Sequence, residues 1–335
     1  MILEMFRLAL IILLVCTSCS KQEYPVNIPD VKLLDGQELI TFQSQNPFSF
    51  KDIIVNLESQ STQDVYGILT FPKTFDSRKK YPLVIGVAGS MDWRSHHLDY
   101  MKMYQSMGIA TLELHSFSSR GITSTVGTQI EVTTAMMVLD AYRALEKLSL
   151  HENIDTDRAA ITGWSLGGAV SLFSAWNPAI EAIGTEFRFS AHLPIYPPCF
   201  VQPRDLDFSD ADIHILIGEL DDWVPADACL ELVSKLKDDH NIDITVYPDA
   251  HHSYDSKSPL TVQESGYSLN NCRLEMNEEG AVLMNFMDIP MTTPLLQKIG
   301  LIFCADRGPT YGGNIEARAQ SFEFARKFML KNLNP

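Results

Sequence analysis

A chain of 335 residues that is 45% hydrophobic and 20% charged buries roughly three quarters of its unfolded surface, which excludes a disordered, collagen-like or multi-span membrane protein. Its 26 basic and 42 acidic residues leave a formal charge of −16, a surface that repels phosphate backbones and excludes nucleic acid as a partner. What remains is a soluble globular body of enzyme size.

The chain opens with MILEMFRLALIILLVCTSCS. Arg7 precedes an apolar run over residues 8–15, shorter than the ~20 residues of a bilayer span and suited to an export signal. Thr17-Ser18-Cys19 resembles the lipobox of bacterial lipoproteins, although Cys16 stands where an aliphatic residue is usual. That resemblance implies removal of residues 1–18, a diacylglycerol anchor on Cys19, and a protein held at a membrane surface facing the periplasm or cell exterior. An ordinary cleaved signal and free secretion is the alternative. With Cys16 and Cys19 in the signal region, Cys199, Cys229, Cys272 and Cys304 remain, and an oxidising compartment permits disulfides. Cys272 and Cys304 flank one C-terminal insertion and are expected to pair, with four buried thiols as the alternative. Those four show no C-x-x-C spacing, so no metal centre is expected, nor any cofactor.

A polar tether is expected over residues 19–48, followed by an α/β domain over 49–335. Strand-like runs at 53–57 and 65–71, before Pro72, read as an antiparallel hairpin. Residues 83–88 form a continuous apolar run, as in a parallel strand buried on both faces. Thereafter the pattern alternates: helix 98–107, strand 109–114, helix 130–148, strand 159–162, helix 167–176, strand 213–217, helix 229–236, strand 242–247 and a closing helix 315–332. Repeated strand–helix units predict a mainly parallel twisted sheet with helices on both faces, whose chemistry sits at the carboxyl ends of the strands. Residues 253–310 break the pattern and are expected to form a rim or lid, with a hairpin turn at Asn277-Glu278-Glu279-Gly280.

Gly163-Trp164-Ser165-Leu166-Gly167-Gly168 matches G-x-S-x-G at a junction of strand and helix, the setting a nucleophile elbow demands. A serine hydroxyl needs a base that an acid holds in place, and in this architecture the acid and then the base follow later strands. Strand 213–217 runs into Asp221-Asp222-Trp223, and strand 242–247 runs into His251-His252. Either aspartate and either histidine satisfies the order.

These stretches resemble the α/β-hydrolase superfamily and, within it, the dienelactone hydrolase family. The resemblance covers about residues 50–333 and rests on Gly-Trp-Ser-Leu-Gly-Gly, Gly-Glu-Leu-Asp-Asp-Trp-Val-Pro and Tyr-Pro-Asp-Ala-His-His-Ser-Tyr. The stretches Ser116-Phe117, Arg120-Gly121 and Arg307-Gly308 through Gly312-Gly313 add to it. It implies Ser165 as nucleophile, Asp221 as acid and His252 as base, with Asp222 and His251 as alternates. Dienelactone hydrolases proper carry cysteine at the nucleophile position, so Ser165 points to a general serine esterase acting on a small ester or lactone. A peptidase or acyltransferase of the same fold, or an inactive binding protein, is the alternative. An oxyanion hole is expected from the N–H groups of Leu166 and Ser90. Arg120 is a candidate for binding a substrate carboxylate, against a structural salt bridge. Trp93, Trp164 and Trp223 are candidates for the acyl pocket, against packing over the sheet edge.

Overall fold

The computed structural model describes residues 28–285 and 287–335; the export signal and Cys19 lie outside them. The elements in chain order are β1 (Gln37–Gln45), α1 (Phe50–Asn56), β2 (Thr62–Thr70), β3 (Tyr81–Val87), α2 (Ser95–Ser106), β4 (Ala110–Leu114) and α3 (Thr134–Leu148). Then come β5 (Ile154–Trp164), α4 (Leu166–Phe173), α5 (Asn177–Ile183), β6 (Ala191–Ile195), β7 (Val201–Pro203), β8 (Asp212–Gly218), α6 (Ala226–Leu236) and β9 (Ile242–Tyr247). Helices α7 (Pro294–Ile302) and α8 (Ile315–Leu333) follow. Eight strands form one sheet in the order β1-β2-β4-β3-β5-β6-β8-β9. Strands β4, β3, β5, β6, β8 and β9 run parallel, and β2 is antiparallel to both β1 and β4. This is an α/β-hydrolase sheet with an N-terminal antiparallel hairpin.

Local sequence explains the central strands. Leu83, Val84, Ile85 and Val87 of β3 are fully buried, because helices cover both faces of a parallel sheet. Helix α3 begins at Thr133, whose Oγ1 accepts from Met136 N at 3.3 Å. Helix α8 begins at Asn314, whose side-chain oxygen accepts from Glu316 N at 3.1 Å and Ala317 N at 3.0 Å. Both caps satisfy amides that have no partner within the helix. Among the described residues no helix is long and apolar enough to cross a membrane.

The hairpin differs from expectation in its first strand. Residues 53–57 belong to α1 and the turn after it, while the outer strand is β1, inside the stretch expected as tether. The signal for the helix is Ser49-x-x-Asp52, a capping pattern: Ser49 N donates to Asp52 Oδ2 at 2.9 Å. The signal for β1 is alternation. Ile40, Phe42 and Ser44 turn inward, and the residues between them are more exposed, as an edge strand with one face on the core requires. Strand β6 has no continuous apolar signal in the sequence, because His192 and Pro194 interrupt its run.

The insertion folds back over the carboxyl edge of the sheet. Its Leu274–Met276 segment pairs in parallel with β7, and the expected turn is present, with Gly280 N donating to Asn277 O at 2.9 Å and Met276 bridging to Val282. Two disulfides hold this region. Cys272–Cys304 ties the start of that hairpin to the residue group after α7, and Cys199–Cys229 ties the β7 approach to α6.

Candidate active site

Strand β5 ends and helix α4 begins at Ser165, whose backbone is held at φ 56° and ψ −115°. A non-glycine residue in such a conformation costs free energy and persists only where its surroundings enforce it. The turn is tight because glycines permit it: a side chain at 163 would fall 2.0 Å from Gly167 O, and one at 167 would fall 2.1 Å from Val87 O. Ser165 N donates to Ile195 O at 3.0 Å, which ties the elbow to the end of β6. The half-buried hydroxyl therefore projects beyond the sheet edge.

The loops after β8 and β9 are laced together. Glu219 N donates to Tyr247 O, and Leu220 N donates to Ala250 O, both at 2.9 Å. From the opposite side Gly312 N donates to His252 O at 2.9 Å, so the glycine-rich stretch before α8 pins the histidine backbone. The outcome is a linear contact: His252 Nε2 lies 3.0 Å from Ser165 Oγ, and His252 Nδ1 lies 2.7 Å from Asp221 Oδ2. An ionised carboxylate only accepts, so Nδ1 carries the proton and Nε2 presents its lone pair to the hydroxyl. The other carboxylate oxygen, Asp221 Oδ1, accepts from Trp223 N at 3.0 Å and Val224 N at 2.9 Å. Asp221 and His252 are 3% and 2% exposed, so water competes little for these bonds. The rings of Tyr196 and Trp223 stand 4.7 Å and 5.0 Å from the imidazole and hold its plane.

The neighbouring acidic and basic residues do different work. Asp222 Oδ1 accepts from Thr310 N at 2.8 Å, and its carbonyl accepts from Ser268 Oγ at 2.6 Å, so it anchors the insertion. His251 Nδ1 is buried with no hydrogen-bond partner among the described residues. Of the two pairs, His252 reaches Ser165 Oγ and Asp221 reaches His252.

A cavity of about 170 Å3 opens beside Ser165, and Leu166 and Ser90 also line it. Leu166 is the first residue of α4, so its N–H has no partner within the helix. Ser90 lies in the turn after β3, which Thr125 N braces by donating to Ser90 O at 2.9 Å. In the same turn, burial pushes the carboxyl of Asp92 up from the usual carboxylate range. Of the three tryptophans considered for the pocket, Trp223 lines it, and Trp93 and Trp164 do not. Trp164 is fully buried and stacks on His97 at 4.5 Å, and Trp93 Nε1 donates to Leu114 O at 3.1 Å. Burial holds the His97 imidazole well below its usual range, hence neutral against that ring.

Arg120 is not a substrate ligand. Its guanidinium pairs in bidentate fashion with Asp140, at 2.7 Å and 3.1 Å, and also donates to Asn46 Oδ1 at 2.8 Å, Ser116 O at 3.0 Å and Gln45 O at 3.3 Å. Its side chain is 6% exposed and that of Asp140 fully buried, and neither lines the cavity. The residue type suited to a carboxylate found one within the chain, on α3. Breaking a buried pair leaves an uncompensated charge and costs about 3–5 kcal/mol. Arg120→Met is therefore expected to lower the free energy of unfolding by that amount in urea titrations. The kcat of the molecules that remain folded should stay within about twofold.

Positions 169 and 173 were not singled out from the sequence, yet Ala169 and Phe173 line the cavity. Their signal is helical spacing, four and eight residues beyond Ser165 on the helix it begins.

A family model described as the dienelactone hydrolase family matches residues 103–274. No curated protein matches the chain in sequence. Among solved structures, a dienelactone hydrolase-like promiscuous phosphotriesterase from metagenomic libraries is similar at 12% identity and a TM-score of 0.52, covering 88% of this chain and 98% of its own. A protein from Klebsiella pneumoniae subsp. pneumoniae, assigned as a dienelactone hydrolase, is 19% identical with a TM-score of 0.47, covering 65% of this chain and 89% of its own. A thermophilic esterase from the Planctomycetes species Thermogutta terrifontis is 14% identical with a TM-score of 0.46, covering 63% of this chain and 84% of its own.

Proposed function

The chain belongs to the dienelactone hydrolase family, and from that premise we propose that it is a serine hydrolase of carboxylic esters, lactones included, working through an acyl-enzyme. One observation carries the reading: a buried imidazole sits 3.0 Å from Ser165 Oγ and 2.7 Å from Asp221 Oδ2. In the proposed reaction His252 Nε2 takes the hydroxyl proton as Ser165 Oγ attacks the carbonyl carbon. Asp221 fixes the tautomer and stabilises the imidazolium. The negative charge on the tetrahedral oxygen falls to the N–H groups of Leu166 and Ser90, which cost no reorganisation because backbone already holds them. His252 returns its proton to the departing alcohol, then draws one from water to release the acid.

We also propose that the chain is exported and anchored by a lipid on Cys19. The two disulfides, Cys199–Cys229 and Cys272–Cys304, are the kind that an oxidising compartment sustains.

An alkyl fluorophosphonate phosphonylates an activated serine with loss of fluoride, so it tests the first proposal without a known substrate. The folded protein is expected to take up one equivalent, and peptide mapping should place it on Ser165. Failure of the folded protein to label would instead favour an inactive binding module.

A further inference from the structure

The cavity beside Ser165 follows one face of α4. Ser165, Ala169 and Phe173 all line it, and their spacing of eight residues corresponds to about 12 Å of helix axis. At the far end Phe173 packs against Phe50 with ring centroids 5.3 Å apart. Phe200 beyond β6, together with Met276, Met291 and Leu301 of the insertion, completes the wall. Among the described residues, no Asp, Glu, Lys, Arg or His lines it. Three of the polar side chains that line it are bonded to the protein itself. Thr133 Oγ1 donates to Pro47 O at 3.3 Å, Gln297 Nε2 donates to Gln129 O at 2.7 Å, and Ser49 Oγ donates to Asp52 Oδ2 at 3.1 Å.

We propose that this cavity holds the acyl part of the ester, that it selects uncharged, apolar groups of about ring size, and that Ala169 sets the size limit. The inference rests on the serine esterase reading and deepens it. Size follows from volume: an apolar protein cavity of ~150 Å3 accommodates benzene, close to the volume found here. Charge follows from the wall, because a carboxylate moved into it loses water and meets no cation among the described lining residues. Assignment to the acyl side follows from the order of events. The acyl group stays bonded to Ser165 until water arrives, so an enclosing wall retains it, whereas the alcohol must leave after the first step. Ala169 stands one turn beyond the nucleophile and is 2% exposed, so a longer side chain there would enter the cavity close to the reacting bond.

The test is kcat/KM for p-nitrophenyl esters of acetate, butyrate, hexanoate, benzoate and dodecanoate, and for the mono-ester of glutarate. With wild-type protein, values should rise about fourfold per buried methylene as far as hexanoate. Benzoate should match hexanoate, dodecanoate should fall below it, and the glutarate mono-ester should be at least a hundredfold poorer than butyrate. Ala169→Leu should lower the hexanoate-to-acetate ratio at least tenfold. Phe173→Ala, which lengthens the cavity, should raise the dodecanoate-to-hexanoate ratio. A flat profile, or a preference for the charged ester, with Ser165-dependent acetate turnover intact, overturns the cavity assignment alone. Absence of any Ser165-dependent acetate turnover overturns the esterase reading and this inference together.

Discussion

Alanine at position 165 is expected to reduce kcat on p-nitrophenyl acetate by about 10^6-fold, the size of effect seen when a serine nucleophile is removed from a working relay. The loss is chemical, not structural. Among the described residues Ser165 Oγ contacts only His252 as a hydrogen-bond partner, and one such bond contributes about 1 kcal/mol. The thermal midpoint should therefore move by no more than about 3 °C. Strain at the elbow lies in the backbone, at φ 56°, and alanine keeps a Cβ there, so the turn is neither relieved nor worsened. Side-by-side stopped assays and thermal scans decide the matter: undiminished turnover in a folded alanine variant removes Ser165 from the mechanism.

Asparagine at position 221 is expected to cost about 10^4-fold in kcat with little change in KM. The amide keeps the oxygen that accepts from Trp223 N and Val224 N, so the loop should hold its shape. Its NH2 group, however, now faces His252 Nδ1, which must accept. The ring proton then moves to Nε2, where it points at the Ser165 hydroxyl and blocks proton abstraction. Asparagine at 222 is the matched control. That carboxylate bonds to Thr310 N and not to the imidazole, so turnover should remain within about threefold. Equal losses at the two positions, measured at saturating substrate, would refute the assignment of Asp221.

The wall of the cavity draws on two parts of the chain, the sheet-borne elements around Ser165 and the insertion. Ser165, Asp221 and His252 stand at the ends of β5, β8 and β9, where sheet register places them. Met276, Met291 and Leu301 come from the insertion, which Cys272–Cys304 cross-links. The relay thus rides on the rigid sheet. The pocket shares α4 with it, through Ala169 and Phe173, and takes the rest of its wall partly from the insertion.

What the sequence determined by itself was whatever a dozen neighbouring residues encode. Strand β3 was legible because burial on both faces demands an unbroken apolar run, and the elbow because so tight a turn demands glycine at 163 and 167. The order of serine, aspartate and histidine was legible because each follows a readable strand. Tertiary structure decided which groups meet. Nothing local separates Asp221 from Asp222, or His252 from His251; the paired loops after β8 and β9 do, by aiming one of each inward. Arg120 reads equally well as a substrate ligand until α3 brings Asp140 against it, 20 residues later in the chain. Strand β1 looked like tether because an edge strand buries a single face, so half its residues are polar and its pattern is faint. Periodicity and turn chemistry are properties of short segments, whereas the partner of a charge and the wall of a cavity are set by distances between segments that the linear order does not contain.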